Sequence, residues 1–190
     1  SLQPLSIAIN TYDEAGQTEP VWEYLLLLGD KPQLLINPAY NWLKGKYASS
    51  PADFSEFEIM EQLTNSSNLT KEGIYSPEKA QNLSELKVGA FKNNENQVFY
   101  GNHTIGIRIP YGLLAISDPS SHTVLFDKRV FTPDAQDQIK TTQSNKISLR
   151  IMLKNDKVID INYNLTAWEI PQYTQRLKDG FEILSNYFAR

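Results

Sequence analysis

The segment 147-ISLRIMLKNDKVIDINYNL-165 carries the most regular pattern in the chain. Ile147, Leu149, Ile151 and Leu153 alternate with Ser148, Arg150, Met152 and Lys154. After Asn155-Asp156, Ile159, Ile161, Tyr163 and Leu165 alternate with Asp160, Asn162, Asn164 and Thr166. Successive side chains of a strand point to opposite faces, so a period of two marks strands with one apolar and one polar face. Asn and Asp tolerate positive φ, which suits them to a tight turn. The segment therefore reads as an antiparallel hairpin.

Upstream, Ile105, Ile107 and Ile109 alternate with Gly106 and Arg108, and Val124, Phe126 and Val130 share a face across 123–131. Weaker strands are expected over 86–92 and 97–101, joined through Asn93-Asn94-Glu95-Asn96. The first half has a different punctuation. Leu5 to Ile9 alternates as a short strand, but Thr18-Glu-Pro20, Asn37-Pro38 and Ser76-Pro77-Glu78 each place a capping residue near a proline, a helix-start signal. Trp22 to Leu28 reads as a buried helix ended by Gly29. Ala39, Tyr40, Leu43 and Tyr47 recur at helical spacing, Asp53 and Glu56 have capping-box spacing ahead of Phe57, Met60 and Leu63, and Ala80, Leu83 and Leu86 share a helical face. Tyr173, Leu177, Phe181, Leu184 and Phe188 form a last amphipathic stripe, interrupted by Gly180.

The expected fold is thus α+β in a single domain, 1–190. It has a helix-rich part over 18–86 and a strand-rich part over 86–168 with an antiparallel sheet of about five or six strands. A closing helix over 171–188 is expected to lie on the sheet's dry face.

The chain of 190 residues has 18 Lys and Arg against 22 Asp and Glu, a net charge of −4. Nucleic-acid affinity comes mostly from cations neutralising phosphates, and the arginines at 108, 129, 150, 176 and 190 are scattered, so a nucleic-acid partner is not expected. The most apolar run, Val21 to Leu28, is too short to span a bilayer. The chain has no cysteine and begins at Ser1 rather than Met. Both fit an exported bacterial envelope protein, periplasmic or extracellular, with a leader or lipid anchor upstream; a cytoplasmic location is the alternative. Asn-x-Ser/Thr triplets at Asn65, Asn68, Asn82, Asn102 and Asn164 match the N-glycosylation pattern, but an Asn-rich composition accounts for them.

Reactive groups are sparse. No Gly-rich phosphate loop precedes a helix; Gly101 and Gly106 flank a strand-rich region and read as turn and packing positions. The two histidines, His103 and His122, are not at ligand spacing, so no metal or other cofactor is expected. Asp118-Pro-Ser120-Ser121-His122 gathers an acid, two hydroxyls and an imidazole, but neighbours in sequence rarely form a triad, and the same residues compose an ordinary turn. Tyr40, Trp42 and Trp168 are the candidate aromatic contact residues; Trp168 falls in the polar register of its strand. The expected function is non-catalytic binding or assembly in the envelope with a protein or glycan partner. The alternative is hydrolysis of a cell-wall, glycan or ester substrate using His122 or His103.

Overall fold

The computed structural model describes residues 4–12, 21–44, 53–92, 96–125, 141–154, 156–166 and 168. Its centre is a six-stranded antiparallel sheet. The strands are β1 (Pro4–Asn10), β2 (Tyr24–Leu27), β3 (Gln33–Ile36), β4 (Glu58–Ile59), and, from the far end of the chain, β14 (Lys146–Leu153) and β15 (Val158–Asn164). Their order across the sheet is β15-β14-β1-β2-β3-β4. The strands between are shorter: β5 (Glu61–Asn65), β6 (Asn68–Leu69), β7 (Tyr75–Ser76), β8 (Lys79–Asn82), β9 (Val98–Tyr100), β10 (Ile105–Ile107), β11 (Ile116–Asp118), β12 (Thr123–Val124) and β13 (Thr142–Gln143).

The hairpin that the sequence marks most clearly is present. β14 and β15 pair without a register shift from Lys146↔Asn164 to Met152↔Val158. Leu153 N–H donates to the Lys157 carbonyl at 2.9 Å, and Asp156 adopts φ 58° in the turn. Leu5 to Ile9 is also a strand, and 97–101 and 105–109 contain β9 and β10.

The α+β expectation is overturned. The described residues hold no helix of seven or more residues, only short 3-10 turns, and the fold is β-rich. The helix read over Trp22 to Leu28 is instead β2, in the middle of the sheet. Its all-round apolarity has a simple cause: both faces of this strand are covered. Tyr24 and Leu26 point into the main core with Ile7, Ile9, Leu34 and Ile36. Leu25 faces the other way, with Ala8 and Phe57, and Trp22, Leu27, Leu35, Phe54 and Met152 pack around them.

Two cap signals are real but introduce single turns. The Asn37 side chain accepts from Ala39 N–H at 3.0 Å and opens the 3-10 turn Pro38–Tyr40. The Glu56 carboxylate accepts from Asp53 N–H at 3.0 Å around the turn Phe54–Glu56. Phe57 and Met60, read as one helical face, belong to different cores, and Leu63 is exposed on β5. Residues 79–82, read as helix, are β8. The closing helix expected over 171–188 lies outside the described residues, as do Tyr47 and residues 126–131 of the strand expected over 123–131, whose start is β12.

The main core is closed by Met60, Leu86, Val98, Leu114, Ile116 and Val124, which come from the segments between β4 and β14. Apolar rows run across the sheet through Ile151, Ile7 and Leu26 to Leu34, and through Leu149, Ile9 and Tyr24 to Ile36. No helix among the described residues is long and apolar enough to cross a membrane.

Candidate functional site

The cluster Asp118 to His122 forms the turn between β11 and β12. The Asp118 carboxylate accepts from Ser120 N–H at 2.9 Å, from Ser120 Oγ at 2.6 Å and from Ser121 Oγ at 2.7 Å. These donors hold its carboxyl down at about 2, the Ser120 hydroxyl most of all. A serine nucleophile must pass its proton to an imidazole. Here both hydroxyl protons point at the carboxylate itself, and no hydrogen bond links His122 to either serine or to Asp118 among the described residues. The geometry is that of an Asx turn fastened by two hydroxyls.

His122 is buried, at φ 59°, and its carbonyl accepts from Ser144 N–H at 2.9 Å. Its Nε2 is buried without a hydrogen-bond partner. The ring lines a small apolar cavity with Thr11, Tyr111, Ile116, Val124 and Trp168. At about 20 Å³, this space holds roughly one water, far less than the several hundred Å³ of a typical ligand pocket. His103 is exposed in the turn between β9 and β10, so the two histidines belong to different surroundings. No group of three His, Asp or Glu side chains among the described residues is arranged to hold a metal ion.

The three aromatic candidates are not equivalent. Tyr40 is buried with Ala39, against Val21 and Trp42. Trp42 is half-buried, with its indole N–H enclosed and unpartnered. Trp168 is 49% exposed and sits at the rim of the His122 cavity, its backbone N–H donating to the Ser120 carbonyl at 3.3 Å. The structure thus brings Tyr40 and Trp42 together in one place and Trp168 and His122 in another.

Two features escaped the sequence reading. The first is Glu23, a carboxyl enclosed beside the core. Its Oε2 accepts from Thr11 N–H at 2.6 Å and Thr11 Oγ1 at 2.8 Å, while Oε1 has no partner. Burial pushes this carboxyl up to about 8, against the pull of donors on Thr11 and Tyr12. A charge placed inside the apolar run Val21 to Leu28 was the available signal.

The second is a β-ribbon built from residues 61–82. β5 pairs with β8 and, farther out, β6 with β7, the tip turning at Thr70 to Gly73. No residue of this ribbon is buried, and all but Thr70 are exposed. Leu69 and Tyr75 face each other across it at 65% and 64% exposure, with Ile74 and Leu63 exposed as well. The ribbon meets the body at its base. There, the hydroxyl of fully buried Ser84 accepts from Met60 N–H at 2.7 Å and donates to the Leu34 carbonyl at 2.6 Å.

Comparison with protein-family models, with curated proteins and with solved structures finds no match to this chain.

Proposed function

We propose that this chain is a non-catalytic binding or assembly domain, and that the ribbon 61–82 is its contact element. One observation carries the reading: a two-stranded ribbon with no buried residue nonetheless displays Leu63, Leu69, Ile74 and Tyr75. A lone two-stranded hairpin is marginally stable in water, and large exposed apolar groups grouped on a projecting element mark contact sites. The ribbon's charges are mixed, with Glu61, Glu72 and Glu78 against Lys71 and Lys79, which suits a protein surface better than a polyanion. Action in the bacterial envelope belongs to the same reading and is supported by composition alone.

The test is a photo-crosslinking residue at Tyr75, expressed in the native host, with the captured species identified by mass spectrometry. The expected result is one dominant protein adduct, lost when Leu63, Leu69 and Ile74 are all changed to Ser. Turnover of ester or glycan substrates by the pure chain, abolished by His122→Ala, would replace this reading with the hydrolase alternative.

A further inference from the structure

The central sheet has two very different edges. The β4 edge is blunt. β4 is two residues long, and the outer side of β3 beyond it is filled by residues 84–86, through Leu34 N–H to the Ser84 carbonyl at 2.9 Å and Leu86 N–H to the Pro32 carbonyl at 3.1 Å. Glu58 on β4 is further tied down by Lys44 and Asn41, both at 2.6 Å. Among the described residues, the β15 edge has neither the short strand nor the filled outer side. It runs for seven residues, contains no proline or lysine, has no bulge against β14, and every residue on it is exposed. Proteins normally blunt such an edge with short strands, prolines, lysines or bulges, because its free N–H and C=O groups template another strand.

The outward groups can be identified. Leu153 N–H bonds the Lys157 carbonyl at one end of the hairpin, and Leu165 N–H bonds the Asn145 carbonyl at the other. Hydrogen-bonded pairs alternate along an antiparallel ladder. The odd-numbered residues of β15 therefore bond β14, and Val158, Asp160, Asn162 and Asn164 turn their N–H and C=O groups outward. The side chains have their own order. Ile159, Ile161 and Tyr163 lie opposite Ile151, Leu149 and Ile147, which pack against the main core. They extend that apolar face past its covered part, to 43% exposure at Ile161 and 63% at Tyr163.

We infer that β15 pairs antiparallel with β15 of a second copy of this chain, about a two-fold axis through Ile161. The strand is self-complementary in this register, and the register engages all seven residues. Asp160 meets Asn162 of the second copy and Val158 meets Asn164, so every outward N–H and C=O finds a partner. On the apolar face Ile161 meets its own copy and Ile159 meets Tyr163, a β-branched–aromatic pair of the kind that stabilises sheets. No charge faces its like: Asp160 stays across from an amide and keeps its Arg150 partner at 2.8 Å on the inner side. The closed two-fold consumes the edge, as an isologous interface does. The pairing does not involve the ribbon, so either proposal stands if the other fails.

The chain's lack of cysteine makes the register directly testable. In this geometry the Cα atoms of the two Ile161 residues lie about 4.5 Å apart, within disulfide range. The two Ile159 residues are separated by about four strand residues, roughly 13 Å. Under mild oxidation, full-length Ile161→Cys is expected to form a covalent dimer and Ile159→Cys to remain monomeric. By sedimentation, the parent is expected to be a dimer and Asn162→Pro a monomer with an unchanged circular dichroism spectrum, because proline there removes only an outward N–H. Equal cross-linking of both cysteine variants would overturn the proposal, and so would a dimer that survives Asn162→Pro. A parent that stays monomeric at every concentration would also overturn it, including one whose β15 amides are protected from exchange by its own chain.

Discussion

Thr11 donates both its backbone N–H, at 2.6 Å, and its hydroxyl, at 2.8 Å, to a single oxygen of the Glu23 carboxyl. Two donors on Oε2 leave the proton of the neutral acid on Oε1, the oxygen without a partner. The carboxyl is enclosed, and the cost of a buried charge exceeds what these donors return, so it titrates at about 8.

This makes stability fall with rising pH. An unfolded Glu ionises near its ordinary value of 4.5, whereas the folded one holds its proton up to about 8. Between those values the native state binds more protons than the unfolded state, so stability is full below about 4.5 and is lost progressively as pH rises to 8. The loss is expected to reach several kcal/mol at most. Glu23→Gln keeps an oxygen for Thr11 and cannot ionise. Its melting temperature is expected to match the parent at pH 5 and exceed it at pH 9. A parent that melts higher at pH 9 than at pH 5, with Glu23→Gln following it, would exclude this linkage.

The ribbon gives a contrast between its base and its tip. Ser84→Ala strands the buried Met60 N–H and removes the donor to Leu34. An unsatisfied buried group costs about 1–3 kcal/mol, and denaturant unfolding of the variant is expected to register that loss. Leu69→Ala and Tyr75→Ala touch exposed positions and are expected to stay within about 0.5 kcal/mol of the parent. Equal destabilisation at base and tip would mean that the ribbon packs on the body rather than projecting from it.

How far the sequence revealed this arrangement depends on how each residue is covered. The β14–β15 hairpin was legible because Ile147, Leu149, Ile151 and Leu153 recur on β14 in an unbroken period of two, and Ile159, Ile161 and Tyr163 repeat it on β15. β2 was not, because Leu25 and Leu26 are both apolar for different reasons, one in each core, and a strand buried on both faces loses its period. Pro38 opens a 3-10 turn, where a cap signal fixes the start and not the length, and Pro77 lies in the link between β7 and the returning strand β8. The ribbon was hidden for the opposite reason: Leu63, Leu69, Ile74 and Tyr75 have core composition but no core to enter, and only three-dimensional placement reveals that. At the site, the Asp118–Ser120 turn was legible from composition, and the burial of Tyr40 from its spacing with Ala39, although the helix implied by that spacing is a single 3-10 turn.

Asp118 contributes at the acid end. Its folded carboxyl titrates at about 2 against an ordinary 3.8, so its stabilisation is present above 3.8 and disappears as pH falls toward 2. Asp118→Ala removes the acceptor shared by Ser120 and Ser121 and is expected to flatten the melting temperature over that window, which a thermal melt series between pH 2 and 4 would detect. Because the Ser120 hydroxyl contributes most to holding this carboxyl down, Ser120→Ala is expected to narrow the same transition, and an acid transition left unchanged by Ser120→Ala would exclude this hydrogen bond as its cause.

Arg150 links β15 to Trp22 on the sheet face that also carries Ala8 and Leu25. Its guanidinium reaches the Asp160 carboxylate through Nε at 2.8 Å and a terminal nitrogen at 2.9 Å, and lies 5.0 Å from the centre of the Trp22 ring. The ion pair is half-exposed and worth at most about 1 kcal/mol, while stacking of a guanidinium on an indole adds about 0.5–1 kcal/mol. Asp160→Asn removes only the first contribution, and Trp22→Leu only the second. Arg150→Lys keeps the charge but loses both the planar fork and the stacking surface. The expected order of destabilisation in chemical unfolding is therefore Arg150→Lys above Asp160→Asn, with the gap closing in a Trp22→Leu background. An unchanged gap in that background would show that the ring contributes nothing to holding Arg150, and that the fork alone orients the side chain.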